Sequence, residues 1–223
     1  MARALVLGGN GDIGKAIANQ LRLDGFETIA VGRNDFNLNS SDQIKDYFSK
    51  NGANFDIIVH SAGMNHPKLF EELSDEEINQ SLDINLRSFL QIVRICLPHL
   101  KNSKHGRVVV ISSLYGFFAR RGRLPYVMAK HALNGAVKTL AIELASSNVL
   151  VNSVSPGYIE TKMTYANNSE EVIKKFISGI PLSRLGKPQD IADTVSFLCS
   201  EKNKYITGQD IVVDGGFSVG GFQ

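Results

Sequence analysis

A serine, a tyrosine and a lysine stand at spacings that could move a proton. Ser113 precedes Tyr126 by thirteen residues, and Lys130 follows Tyr126 by four. On a helix, side chains four apart share a face, so the phenol and the ammonium would be neighbours. A cation beside a phenol favours the phenolate and draws its pKa down from about 10 towards working pH. A phenol tuned that way can serve as a general acid or base. Ser113 could hydrogen-bond the reacting oxygen and hold it near the phenol. The trio then needs a strand end for the serine, a helix for the other two, and a cleft holding a second reactant.

The sequence offers both elements. Residues 107–111 are almost continuously β-branched (Val108, Val109, Val110, Ile111) and read as a central buried strand. Ser112 and Ser113 follow at its C-terminal end, where the ligand crevice of an open α/β sheet lies. Residues 125–146 read as a long helix with apolar Val127, Leu133, Ala136, Val137, Leu140, Ala141 and Leu144. Pro125 suits its first turn, and Tyr126 and Lys130 fall in its first turns.

A site for the second reactant stands at the start of the chain. Residues 4–7 form a β-type run, Gly8-Gly9-Asn10-Gly11-Asp12-Ile13-Gly14 follows, and residues 15–24 are an amphipathic helix. Strand, glycine-rich turn and helix in that order are the context of a dinucleotide site. Glycines allow positive φ and close backbone approach to a pyrophosphate, which rests on the helix N-terminus. The second strand, residues 25–31, runs into Gly32-Arg33-Asn34-Asp35. An acidic residue at this strand end binds the ribose 2′-hydroxyl of NAD, whereas an arginine suits the 2′-phosphate of NADP. Val31 and Gly32 hold the end and Arg33 follows, so NADP(H) is expected over NAD(H), with Asp35 the rival group. After an apolar strand at residues 55–59, the small Ser61, Ala62 and Gly63 would let a cofactor pass close to the strand end.

The remaining elements alternate. Residues 35–38 are expected as a brief third strand and residues 40–51 as a helix capped by Ser40 or Ser41. Residues 74–85 and 86–100 form a long helical region with Asp75-Glu76-Glu77 at its start, as the helix dipole favours. Asn85 stands in its middle, an unfavourable place for asparagine that tilts it towards function. Residues 149–154 are another central strand leading into Pro156 and Gly157. The polar residues 164–178 read as a mobile cover over the cleft, residues 188–200 as a helix, and residues 209–213 as the last strand. Strands alternating with helices imply a doubly wound parallel α/β sheet covered on both faces. With no repeat or linker, one domain over residues 1–223 is expected.

Composition excludes several classes. A net charge of +2, with 43% hydrophobic and 21% charged residues, gives no pull towards nucleic acid or a membrane surface. No apolar run approaches the ~18 residues of a membrane span. Met1-Ala2-Arg3 runs straight into the first strand, so no leader is expected. Cys96 and Cys199 lie in apolar helical patterns and read as buried thiols, which fits a cytoplasmic setting. His60, His66, His99, His105 and His131 show no ligand spacing, so no metal is expected.

Taken together the motifs resemble those of the short-chain dehydrogenase/reductase family in its single-domain form, over essentially the whole length. The resemblance rests on Gly8-x-x-Gly11-x-x-Gly14, His60-Ser61-Ala62-Gly63, Asn85, Ser113 with Tyr126-x-x-x-Lys130, and Pro156-Gly157-x-Ile159-x-Thr161. It extends through Pro181-Leu182-x-Arg184-Leu185-Gly186-x-Pro188 and Ile206-Thr207-Gly208-Gln209 with Asp214-Gly215-Gly216. It implies a Rossmann-like sheet of about seven strands. It implies Tyr126 as proton donor or acceptor, Ser113 orienting the carbonyl, and Lys130 binding the nicotinamide ribose while lowering the tyrosine pKa. Asn85 would hold a water in a proton relay. Gly8, Asn10, Ile13 and Gly14 would lie along the cofactor, Asn37 and Leu38 near adenine, Ala62 and Gly63 near the ribose, and Ile159 and Thr161 at the nicotinamide carboxamide. Leu7 stands where the family usually has threonine, Asp12 where its second motif glycine often lies, and His60-Ser61 where it has two asparagines. The helix between the second and third strands is missing or reduced.

The implied reaction is hydride transfer between NADPH and a small-molecule carbonyl or alcohol, with 3-oxoacyl reduction the first expectation. Alternatives are a family member acting on a sugar, nucleotide sugar or other small ketone, or a catalytically lapsed NADP(H)-sensing protein. The intact Asn85, Ser113, Tyr126 and Lys130 argue against a lapsed enzyme. Arg120, Arg121 and Arg123 crowd the loop before the tyrosine. They could receive an acidic substrate such as a carrier-protein thioester, a carboxylate or a sugar nucleotide, or form a solvated or subunit-contacting loop. The resemblance also implies a homo-oligomer, dimer or tetramer, joined through the two long helices.

Overall fold

The computed structural model describes residues 1–220; residues 221–223 of the expected 1–223 domain lie outside the described residues. Six parallel strands form one sheet in the order β2-β1-β3-β4-β5-β6. They are β1 (Arg3–Leu7), β2 (Glu27–Val31), β3 (Ile57–His60), β4 (Arg107–Ile111), β5 (Leu150–Pro156) and β6 (Asp210–Val213). The helices between them are α1 (Asp12–Leu23), α2 (Ser41–Asn51), α3 (Asp75–Leu82), α4 (Ser88–Asn102), α5 (Leu124–Leu144), α6 (Lys162–Ala166), α7 (Glu170–Ser178), α8 (Pro188–Cys199) and α9 (Phe217–Gly220). β1 pairs with β2 on one side and β3 on the other, so the chain reverses its winding there and opens a crevice at the strands' carboxyl ends.

Alternate residues of each strand feed two separate cores. Leu5, Leu7, Ile58, Val108 and Val110 face α2, α4 and α5. Ala4, Val6, Ile57, Val59 and Val109 face α1 and α8. This accounts for the unbroken apolar runs, because strands covered on both faces lack a polar side. In α5, Ala129, Leu133, Val137 and Ala141 repeat every four residues and are all buried, which seats that helix on β5. α1 buries Gly14, Ile17, Ala18 and Leu21 in the same manner against α8. Cys96 and Cys199 are both free and buried.

The sheet has six strands rather than about seven, and the expected brief strand at residues 35–38 does not form. Asp35 turns the chain instead. Its carboxylate accepts from the Gly32 N–H at 2.7 Å, and its own N–H donates to the Gly32 carbonyl at 3.1 Å. Phe36 then drops into the core, its ring 4.6 Å from that of Tyr47 and 6.3 Å from that of Phe48. Buried Phe36 anchors a turn, and Ser40 caps α2 by accepting from the Gln43 N–H. The piece absent between β2 and β3 is therefore a strand, and α2 makes the crossover.

Between α3 and α4 the expected continuous helix contains one π-helical turn, Asp83–Arg87, with Asn85 buried within it. Such turns are rare and usually widen a helix at a site. Pro98 sits inside α4, which runs on to Asn102. Among the described residues no helix is long and apolar enough to cross a membrane.

Candidate active site

The carboxyl ends of β1, β4 and β5 open into one cleft of about 760 Å³. It is walled on one side by the turn from Gly8 to Gly14 and on another by Ser113, Tyr126 and Lys130. The expected cover over it consists of two helices, α6 and α7, capped by Thr161 and Ser169. α6 is tied down on both sides. Its first N–H, at Lys162, donates to the Asp12 carboxylate at 2.7 Å, and the Asn167 side chain donates to the Asn65 carbonyl at 3.1 Å. The Asp12 carboxylate thus latches the cover to the glycine turn.

Ser113 ends the segment after β4 and starts a short 3-10 turn, its Oγ accepting from the Tyr115 N–H at 3.2 Å. Ser113 and Tyr126 line the same cleft, and the serine hydroxyl acts on the phenol. Lys130, one turn along α5, is 2% exposed. Its Nζ donates to the Ile111 carbonyl at 2.8 Å and lies 5.3 Å from the centre of the Tyr126 ring. A long strand end and the first turn of a long helix therefore hold the trio together, as the spacing predicts.

The electrostatics differ from the expectation. Burial pushes Tyr126 up to about 12, opposed by the Ser113 hydrogen bond and by Arg123. Burial also pulls Lys130 down to about 7. Lysine was expected to lower the tyrosine; here withdrawal from water dominates both groups and moves each towards its neutral form.

Asn85 is fully engaged. Its side chain donates to the Met64 carbonyl at 2.9 Å and the Ser81 carbonyl at 2.8 Å, and accepts from the Met64 N–H at 3.1 Å. It locks the π-helical turn to the loop after β3. A Cβ at Gly63 would lie 3.1 Å from Asn85 Oδ1 and 3.8 Å from Lys130 Nζ, so this loop passes directly over both groups. His60 points away from the cleft into the core, bonded to Ser88 Oγ at 3.0 Å, and burial pulls it down to about 3. Among the described residues no cluster of His, Cys, Asp and Glu could hold a metal.

The glycine turn has the shape of a cradle. Gly8 adopts φ +78°, and a Cβ there would come within 2.6 Å of the Ala62 nitrogen. A Cβ at Gly14 would run into the Gly8 carbonyl oxygen. The first-turn N–H groups of α1, at Asp12, Ile13 and Gly14, open towards the same space, with Asn10 and Gly11 beside them. Ser61 Oγ is buried in the wall with no partner among the described residues. Arg33, Asn37 and Leu38 line the far end; Pro156, Gly157, Ile159 and Thr161 line the near one. The rival for the ribose end, Asp35, has its carboxylate committed to the Gly32 turn, while Arg33 makes no ion pair among the described residues. These residues could hold an extended dinucleotide with its phosphates on α1. Gly14→Ala is expected to lower stability by ~1–3 kcal/mol through overpacking and to weaken nucleotide binding at the same time. Thermal melts with and without NADPH measure both; wild-type melting and an unchanged NADPH shift would contradict the cradle.

Residues outside the expected set also line the cleft, among them Tyr115, Tyr158 and Asn65. Tyr115 stands two residues after Ser113 and Tyr158 lies inside the Pro156–Thr161 motif, so motif interiors were the available signal. Asn65 carried none.

A family model described as enoyl-(acyl carrier protein) reductase matches residues 35–218. The 3-oxoacyl-[acyl-carrier-protein] reductase of Aquifex aeolicus (strain VF5) is 37% identical over 240 residues, covering 96% of each chain. The chain belongs to the short-chain dehydrogenase/reductase family. It is an oxidoreductase of that family, and the Escherichia coli (strain K12) 3-oxoacyl-[acyl-carrier-protein] reductase is 34% identical over 96% of each chain. Among solved structures, 4-hydroxyisoleucine dehydrogenase complexed with NADH superposes with a TM-score of 0.93 at 29% identity, covering 99% of this chain and 100% of its own. A Beutenbergia cavernae chain assigned as an NAD(P)-dependent gluconate 5-dehydrogenase, solved with NADP at low occupancy, also reaches 0.93 at 27% identity, covering 97% of this chain and 96% of its own.

Proposed function

We propose that this short-chain dehydrogenase/reductase interconverts a carbonyl and a secondary alcohol with NADP(H), using Tyr126 to move the proton. The observation that carries this reading is that Ser113, Tyr126 and buried Lys130 line one wall of the cleft that the glycine turn also walls, with Lys130 Nζ 5.3 Å from the centre of the Tyr126 ring. When bound, the nicotinamide supplies or accepts the hydride. Gly8, Asn10, Gly11, Asp12, Ile13 and Gly14 hold the pyrophosphate, Asn37 and Leu38 the adenine, Ser61, Ala62, Gly63 and Lys130 the ribose, and Pro156, Gly157, Ile159 and Thr161 the nicotinamide.

In reduction, the Ser113 hydroxyl holds the substrate oxygen and Tyr126 gives it a proton as negative charge builds there. A phenol pushed up to about 12 enters the cycle protonated, as a proton donor must. Lys130 in its charged form stabilises the phenolate that remains. Asn85 keeps the loop over Lys130 in place through its bonds to Met64.

Arg33 carries the choice of cofactor. Its guanidinium is free of acid partners at the strand end where a 2′-phosphate would lie. Arg33→Ala is expected to raise the KM for NADPH about 10- to 100-fold, the scale of a lost charge-assisted hydrogen bond, and to move that for NADH within about threefold. Equal effects on the two cofactors would remove the assignment.

The reading is tested by NADPH and NADH oxidation against a carbonyl panel. Since 3-oxoacyl reductases are the curated relatives, a 3-oxoacyl thioester is the first member. Absence of oxidation with every panel member would overturn it. A cytoplasmic setting and a homo-oligomer belong to the same proposal. The two buried free thiols support the former, and the exposed Leu124, Met128 and Ile142 along α5 support the latter.

A further inference from the structure

The three arginines before Tyr126 do not behave alike. Arg121 is exposed and away from the cleft, whereas Arg120 and Arg123 line it. Arg123 is 5% exposed, and its hydrogen-bond partner is neutral: Nη1 donates to Asn65 Oδ1 at 3.1 Å. Arg120 donates to the Tyr115 hydroxyl at 3.1 Å and lies over the Phe176 ring at 5.2 Å. Phe176 is itself stacked on Tyr158, their centroids 3.8 Å apart. Among the described residues neither guanidinium has a carboxylate within ion-pair distance.

A guanidinium cannot shed its charge. Burying one without a counter-charge is costly, and a second cation beside it adds repulsion. Each group gives one of its five donors to a neutral oxygen and is braced by aromatic or amide neighbours, so both forks are held in place with donors to spare. This arrangement suits a planar anion that accepts from both. Arg120, Arg123 and Tyr126 line the same cleft, so an anion held by the two forks shares that cleft with the phenol.

We propose that Arg120 and Arg123 form a carboxylate subsite, so that the substrate is a small oxo acid, or in the reverse direction a hydroxy acid, bearing its own carboxylate. The proposal rests on the carbonyl-reduction reading above and narrows it. The acidic surface of a carrier protein cannot reach an arginine this deep. The phosphate of a carrier arm lies a full arm's length from its thioester, so neither anion fills the subsite. A free carboxylate a few bonds from the carbonyl does.

The experiment compares 2-, 3-, 4- and 5-oxo acids with their methyl esters and with a 3-oxoacyl-N-acetylcysteamine thioester, all with NADPH. At least one acid is expected to exceed its ester about 100-fold in kcat/KM, the scale of a buried charge pair. Arg123→Gln lowers that acid by a similar factor and lowers the ester at least tenfold less. Arg123→Lys, which keeps the charge, recovers part of the loss, and Arg121→Gln changes neither. Arg120→Gln, at a less buried position, gives the same pattern with a smaller loss and stands in if Arg123→Gln fails to fold. Calorimetric titration with succinate supplies a readout without turnover: the wild type binds and the Arg123 variant does not. Equal rates on acids and esters, or a variant that slows both alike, would overturn the subsite while leaving carbonyl reduction standing. Arg123-dependent succinate binding with no reduction of any panel member would do the reverse.

Discussion

Tyr126→Phe is expected to cut turnover by ~10²–10⁴-fold while leaving NADPH affinity within about twofold. The substitution removes one oxygen, the one whose proton affinity Ser113 lowers. The ring stays, with its T-shaped contact to Tyr115 at 6.2 Å and Lys130 Nζ beneath it at 5.3 Å. Nucleotide binding is therefore expected to be preserved, because the proposed phosphate site is the glycine turn and not the phenol. The loss falls on the proton-transfer step. Steady-state kinetics together with a direct NADPH titration separate the two; a variant that keeps wild-type kcat on a confirmed substrate would refute the role of Tyr126.

Lys130→Met is expected to abolish most activity and, at pH 6, to raise the melting temperature. Burial has lowered Lys130 to about 7 from its ordinary 10.5. Below about pH 7 folded and unfolded chains both carry the charge, and the folded chain bears the full cost of hiding it. Between about pH 7 and the ordinary lysine value the unfolded chain holds a proton that the folded one has released, so stability rises with pH across that window. A fall of about 3.5 at ~1.4 kcal/mol each sets a ceiling of roughly 5 kcal/mol on the cost. Methionine removes it but leaves the Ile111 carbonyl unpaired, at ~1–3 kcal/mol. The net gain at pH 6 is about 2–4 kcal/mol, or roughly 4–16 °C in a chain of this length, and it shrinks or reverses near pH 10. Melting curves at both pH values decide; a gain that is larger at pH 10 than at pH 6 would contradict a buried ammonium.

The two predictions draw on different parts of what was legible in the residues. The trio was readable because each member sits in a strong local pattern. Ser113 follows five residues that can only be a buried strand, and Tyr126 and Lys130 follow a proline that starts a helix. The glycine turn was readable for the same reason, since strand, turn and helix are adjacent in the chain. The cap at Ser40 or Ser41 and the cover over residues 164–178 likewise followed from short stretches. The brief strand at residues 35–38 was misread because what decides it lies outside the stretch: the Asp35 carboxylate turning back to Gly32, and Phe36 finding Tyr47 and Phe48 on α2.

The sign of the Tyr126 shift and the direction of the arginines belong to the same class. Spacing put an ammonium near a phenol and three arginines near a cleft, and it could do no more than that. Whether the ammonium or the loss of water dominates depends on the residues that close over both, and Gly63 and Ile111 come from other elements. Which arginine turns inward depends on Asn65, fifty-eight residues earlier, and on Phe176 in the cover. Helix, strand and turn arise from interactions a few residues apart, so order in the chain was enough to locate Ser113, Tyr126 and Lys130. Burial and charge are set by segments that meet only when the sheet has closed, and the folded chain alone determined the shifts of the pair and the turn of Arg120 and Arg123 into the cleft beside it.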